Sequence, residues 1–153
     1  MKKLKIIFFS MMIIFLLIPL AQAEDIDYTN LTVRVEGISK AVGTIGVSLF
    51  NSPKGYPTRI EHAYESQWIE LEVGQKSIDG GFEGIPFGKY AVSVVHDENG
   101  NKRLDMGPMG FPTEGVGFSN GQKIVMSVPK FSNSTISLTE MSQNIVIKLD
   151  YPQ

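Results

Sequence analysis

The sequence predicts an all-β fold: an antiparallel β-sandwich of about seven to eight strands, preceded by a cleaved signal peptide. Three observations carry this. Short β-branched runs alternate apolar and polar residues, the period-two repeat of strands with one buried face. Gly and Pro, 15 and 8 in number, are scattered between these runs, a spacing that marks a sandwich or barrel. The first 23 residues have the composition of an export signal rather than of a folded domain.

That signal opens with Lys2, Lys3 and Lys5. An apolar run from Ile6 to Leu20 follows, broken only by Ser10 and Pro19, and Ala21-Gln22-Ala23 then supplies the small-x-small pattern a signal peptidase cleaves. The run is shorter than the roughly 20 residues that cross a bilayer. Residues 1–23 are therefore expected to be removed, leaving 24–153 as one domain, periplasmic or secreted, with no membrane span after cleavage. Three of the 14 basic residues leave with the signal and none of the 16 acidic ones, so the net charge moves from −2 to about −5. An acidic domain without a basic run is not expected to take nucleic acid. The chain has no Cys, which excludes disulfides and a cysteine-borne lipid anchor.

The elements follow in order. Leu31, Val33 and Val35 alternate with Thr32 and Arg34 as a half-buried strand. Gly43 to Phe50 is the second, with Ile45, Val47 and Leu49 on one face, and Asn51 to Pro57 is turn chemistry. Arg59 to Ser66 is ambiguous between loop and a short helical turn. Trp68 to Val73 and Ser77 to Phe82 read as strands. Lys89 to His96 is apolar on both faces, so it is expected at the centre of its sheet. Asp97 to about Gly117 has little strand character, and so long a loop is usually functional or held by something. Lys123 to Val128, Thr135 to Leu138 and Asn144 to Tyr151 complete the set.

The long loop carries the candidate site. Asp97, Asn99, Asn101 and Asp105 stand at positions 1, 3, 5 and 9 of an EF-hand-type loop, with Leu104 at the apolar position 8 and the Arg103 carbonyl at position 7. Calcium takes six to eight oxygens on a curved backbone, which alternate side chains of a tight loop supply. Lys102 stands where such a loop has Gly, and Pro108 where it has the bidentate Glu, so Glu114 would have to reach in. The competing reading is a polar turn without an ion, because Asp and Asn bond to their own backbone. Calcium is the one candidate cofactor.

Other chemistry is sparser. His96, beside Asp97 and upstream of Glu114, is the seed of a metal-assisted hydrolase reading, but His62 is the only other histidine and no ligand spacing links the two. No Cys is available as a nucleophile, and Gly117-Phe118-Ser119-Asn120-Gly121, which has the letters of a Gly-x-Ser-x-Gly elbow, lacks the strand-to-helix context that elbow needs. Met106, Met109 and Phe111 are expected to tuck the loop onto the sandwich, with an exposed patch for a partner as the alternative.

Phe82-x-Gly84-Ile85-Pro86-x-Gly88-x-Tyr90-Ala91-Val92, His96-Asp97-Glu98-Asn99-Gly100-Asn101, Leu104-Asp105 and Gly110-x-Pro112-x-Glu114-Gly115-x-Gly117-Phe118-Ser119-Asn120 together resemble the bacterial family catalogued as domain of unknown function 2141. The resemblance covers most of the chain after the signal. It implies a small exported β domain and supplies no reaction. The family usually has Gly where Lys102 stands, which weakens the calcium reading. The turn into Tyr90 also resembles the strand entry of transthyretin-like and collagen-adhesin B-type modules, so the sandwich is expected to be immunoglobulin-like or transthyretin-like, by fold analogy alone. The expected function is a non-enzymatic binding or structural module of the bacterial envelope, with an envelope or extracellular ligand. A hydrolase using His96, Asp97 and Glu114 is the alternative.

Overall fold

A computed structural model describes residues 27–152; the expected signal peptide and its cleavage site lie outside them. The described residues form eight strands: β1 (Tyr28–Glu36), β2 (Thr44–Phe50), β3 (Glu65–Glu70), β4 (Ser77–Pro86), β5 (Gly88–Asp97), β6 (Gly115–Phe118), β7 (Ile136–Leu138) and β8 (Ser142–Lys148). One sheet has the order β4-β1-β8. The other runs β3-β2-β5-β6, with β7 also paired to β5.

Period-two alternation builds the core. In β1 every second residue is buried, including Leu31, Val33 and Val35. Ile45, Val47 and Leu49 of β2 and Tyr90, Val92 and Val94 of β5 join them in one cluster with Phe82, Ile85, Leu138 and Ile147. Burial of this apolar surface is the main driving force holding the two sheets together. β5 is central as expected, paired with β2, β6 and β7.

Four features differ from the sequence expectation. First, β1 and β8 pair in parallel, Val33 opposite Ile145 and Val35 opposite Ile147, within an otherwise antiparallel fold. Side-chain alternation is the same in both pairings, so the pattern carries no direction. Second, β3 runs from Glu65 to Glu70 rather than from Trp68 to Val73, while the ambiguous segment before it takes the helical one of its two readings, a 3₁₀ turn at Ile60–His62. Third, residues 123–128 form no strand, and Val125 and Met126 are exposed; their apolar side chains find no sheet to pair with. Fourth, β6 lies inside the stretch expected to be loop. Two of its four residues are glycines, which weaken any strand signal. Space requires both. A Cβ on Gly115 would overlap the Tyr151 ring, and one on Gly117 would come within 2.5 Å of the Ile147 side chain.

The C-terminal segment ties the two sheets. The Leu149 amide donates to the Glu36 carbonyl of the first sheet, and Asp150 exchanges two backbone bonds with Val116 of the second, at 2.9 and 2.8 Å. Tyr151 is thereby delivered to the end of β5 at which the long loop begins.

Candidate functional site

The loop leaves β5 at Asp97, which has no exposed surface. Oδ1 of Asp97 accepts the backbone N–H groups of Gly100 (2.8 Å) and Asn101 (3.2 Å), and Oδ2 accepts that of Lys102 (2.7 Å). One carboxylate thus satisfies three consecutive donors of a tight turn, a charge-assisted arrangement. Asn99 and Asn101 repeat the motif locally, their side-chain oxygens accepting the N–H two residues on, at 3.0 and 2.8 Å. Their amino groups both donate to Asp105, at 2.6 and 3.0 Å. Lys102 takes φ 56°, the left-handed region that Gly adopts without cost and other residues rarely enter. The turn forms in spite of its lysine, because the bond to Asp97 holds the Lys102 amide.

Glu114 closes the loop from its far end. Its carboxylate accepts the Glu98 N–H (3.1 Å) and the Asp105 N–H (3.0 Å), joining both flanks of the turn to β6. Burial pushes the Glu114 carboxyl above the ordinary carboxylate range. The two amide bonds work against that rise, and the neighbouring charges of Asp105 and Asp97 add to it. Asp97, Asn99, Asn101, Asp105 and Glu114 are therefore joined in one hydrogen-bonded loop, with most of their oxygens turned onto the loop's own amides. Arg103 contributes its N–H to Asn101, and its side chain is exposed. Among the described residues no group of three or more His, Cys, Asp or Glu side chains is disposed to hold a metal ion.

His96 is not part of this cluster. As the preceding strand residue it points to the opposite face from Asp97. The ring is fully buried, with Nε2 2.8 Å from the Val42 carbonyl and Nδ1 2.7 Å from the Tyr151 hydroxyl. The carbonyl can only accept, so Nε2 carries the proton and Nδ1 accepts from Tyr151. Tyr151 packs edge-on against the ring at 5.8 Å between centroids. This is a structural latch joining β5, the Val42 turn and the C-terminal segment. No sequence pattern near His96 names Tyr151, which lies 55 residues away. His62 sits in the 3₁₀ turn, where its side chain packs over Gly55.

The apolar loop residues correct the expectation that they tuck inward. Met106, Met109 and Phe111 are 46%, 85% and 43% exposed. Carboxylate-to-amide bonds hold the loop, so its apolar residues are not needed as ballast and stand outward. Phe111 also lines a cavity of about 140 Å³ with Pro112, Glu114, Val116 and Tyr151.

The sequence model of one family, described as uncharacterised proteins conserved in bacteria and named domain of unknown function 2141, matches residues 33–146. The match runs from within β1 to within β8 and includes the whole loop, and the chain belongs to this family. No curated protein and no solved structure matches it at comparable stringency.

Proposed function

We propose that the protein is an exported, non-enzymatic binding or structural module of the bacterial envelope, in which an immunoglobulin-like or transthyretin-like sandwich presents the loop from Asp97 to Glu114. One observation supports this above others. The loop's polar side chains are spent on its own backbone, so a rigid frame presents Met106, Met109 and Phe111 to solvent. Rigid loops on a sandwich are common binding surfaces, because little ordering entropy is lost on contact. The arrangement does not favour a hydrolase, since His96 is buried with both nitrogens engaged and bonds to neither Asp97 nor Glu114.

Capture tests this reading. The protein, cross-linked to envelope fractions of its own cell, is expected to retain a discrete partner. The Met109→Ser, Phe111→Ser double variant should lose that partner while its far-ultraviolet circular dichroism stays unchanged. Both residues are exposed, so their loss should alter folding stability by no more than about 0.5 kcal/mol. Undiminished capture by the variant removes the loop rim as the binding face.

A specific observation favours calcium as an ion this loop takes. Asp97, Asp105 and Glu114 crowd one segment, and among the described residues none forms an ion pair. Lys102 holds the left-handed conformation that the sixth position of a calcium loop needs. With the carbonyls of Asn99, Asn101 and Arg103 the donor chemistry suits a hard cation, which would have to displace the loop's own amides from the Asp97, Asn99, Asn101 and Glu114 oxygens. Saturating calcium at about 100 times its dissociation constant would add about 2.7 kcal/mol to folding. A thermal melt in chelator and then in millimolar calcium should show a rise of several degrees that vanishes in Asp97→Ala, Asp105→Ala. An unchanged midpoint leaves the loop a carboxylate-stapled turn.

A further inference from the structure

We propose that a groove on the outer face of the β3-β2-β5-β6 sheet binds an acidic saccharide, with a sugar ring lying on Trp68 and its carboxylate met by Arg59, Lys102 and Arg103. The cavity measures about 530 Å³, within the range of about 300–1,000 Å³ that small-molecule sites occupy. Its floor is Trp68 with Val95, both part-exposed. The indole lies flat on the sheet because the facing residue is Gly46: a Cβ there would come within 2.6 Å of the ring. A flat aromatic surface of this kind matches the aliphatic C–H face of a pyranose and leaves the sugar hydroxyls in water.

The two walls are fixed before any ligand arrives. One is the 57–61 segment, where the Pro57 carbonyl accepts the Ser93 hydroxyl of β5 at 3.0 Å and the Arg59 carbonyl accepts the His62 N–H at 3.0 Å. The other is the 102–106 stretch of the long loop, pinned through the Lys102 amide to Asp97 and the Arg103 amide to Asn101. Preorganised walls reduce the ordering cost of binding.

Charge selects the ligand. Arg59, Lys102 and Arg103 line the groove against the single acid Glu61, and among the described residues none of the three cations forms an ion pair. The protein around them is acidic, so an anion is repelled elsewhere and attracted here. Three cations fall short of the extended basic surface a nucleic acid takes. A peptide strand is disfavoured because strand addition runs along a sheet edge, whereas the groove lies on the sheet's face.

The proposal rests on the binding-module reading only for its loop wall, and the test separates the two. Trp68 is the chain's single tryptophan, so its emission reports the groove directly. Titration of the purified protein with trigalacturonate should shift or quench that emission in a saturable way, and the response should weaken as salt rises. Arg59→Gln, Arg103→Gln should weaken binding at least about tenfold with an unchanged melting midpoint, because both side chains are exposed. Glu61→Gln, which removes the only acid, should tighten it. An absent response, an equal response to a neutral galactose trisaccharide, or undiminished binding by the arginine variant overturns the proposal. If the Met109→Ser, Phe111→Ser variant still loses its envelope partner in that case, the module reading stands and only the ligand class falls.

Discussion

Replacing Asp97 with alanine is expected to destabilise the fold by about 3 kcal/mol, because three backbone donors lose one shared carboxylate. Gly100, Asn101 and Lys102 give their amides to Asp97 within a turn that also carries Lys102 at φ 56°. Without the carboxylate nothing holds the Lys102 amide in that conformation, and the left-handed residue relaxes. Asp97→Asn keeps one acceptor oxygen but turns an NH₂ toward a donor, so it should cost about half as much. Against the 5–15 kcal/mol that a domain has in total, the alanine loss would be plain in urea denaturation. Hydrogen exchange at residues 100–102 should accelerate in both variants. A wild-type urea midpoint for Asp97→Ala would show that the loop lies outside the cooperative unit.

The second large effect is expected at the latch between β5 and the C-terminal segment. His96→Ala removes a fully buried ring and two hydrogen bonds, at 2.7 and 2.8 Å, and should cost about 3 kcal/mol through cavity and lost bonding together. Tyr151→Phe removes the bond to His96 and the exposed bond from the Ser39 N–H and keeps the ring packing, so about 1–2 kcal/mol is expected. The double variant should cost less than the sum, because the bond can be lost only once. Gly115→Val reaches the same latch from beneath by displacing the Tyr151 ring. Its effect should likewise be smaller in a Tyr151→Ala background. Additive losses would mean that His96 and Tyr151 act separately.

Much of the sandwich was legible because a strand with one buried face must alternate, as β1 does without interruption, and because a strand buried on both faces, as β2 and β5 are, reads as a near-continuous apolar run. The site was half legible. The oxygen-bearing residues from Asp97 to Glu114 are visible by their spacing, yet the same spacing serves a calcium loop and a self-bonded turn, and only bond partners distinguish them. The outward stance of Met106, Met109 and Phe111 was not legible, since an apolar residue in a loop packs inward or outward according to what else holds the loop. Trp68 drew notice only as a strand residue. Its role as a floor depends on Gly46, 22 positions earlier in sequence and opposite it across the β2–β3 pair.

By itself the sequence determined the all-β class, most of the strands, the central place of β5 and the family, because these depend on local alternation and on motif order along the chain. Tertiary structure alone decided the parallel pairing of β1 with β8, the glycine strand β6, the His96–Tyr151 latch and the groove over Trp68. Each of these depends on which distant residue arrives opposite. That partner is set by the packing of two sheets on a shared core, and no local pattern encodes it.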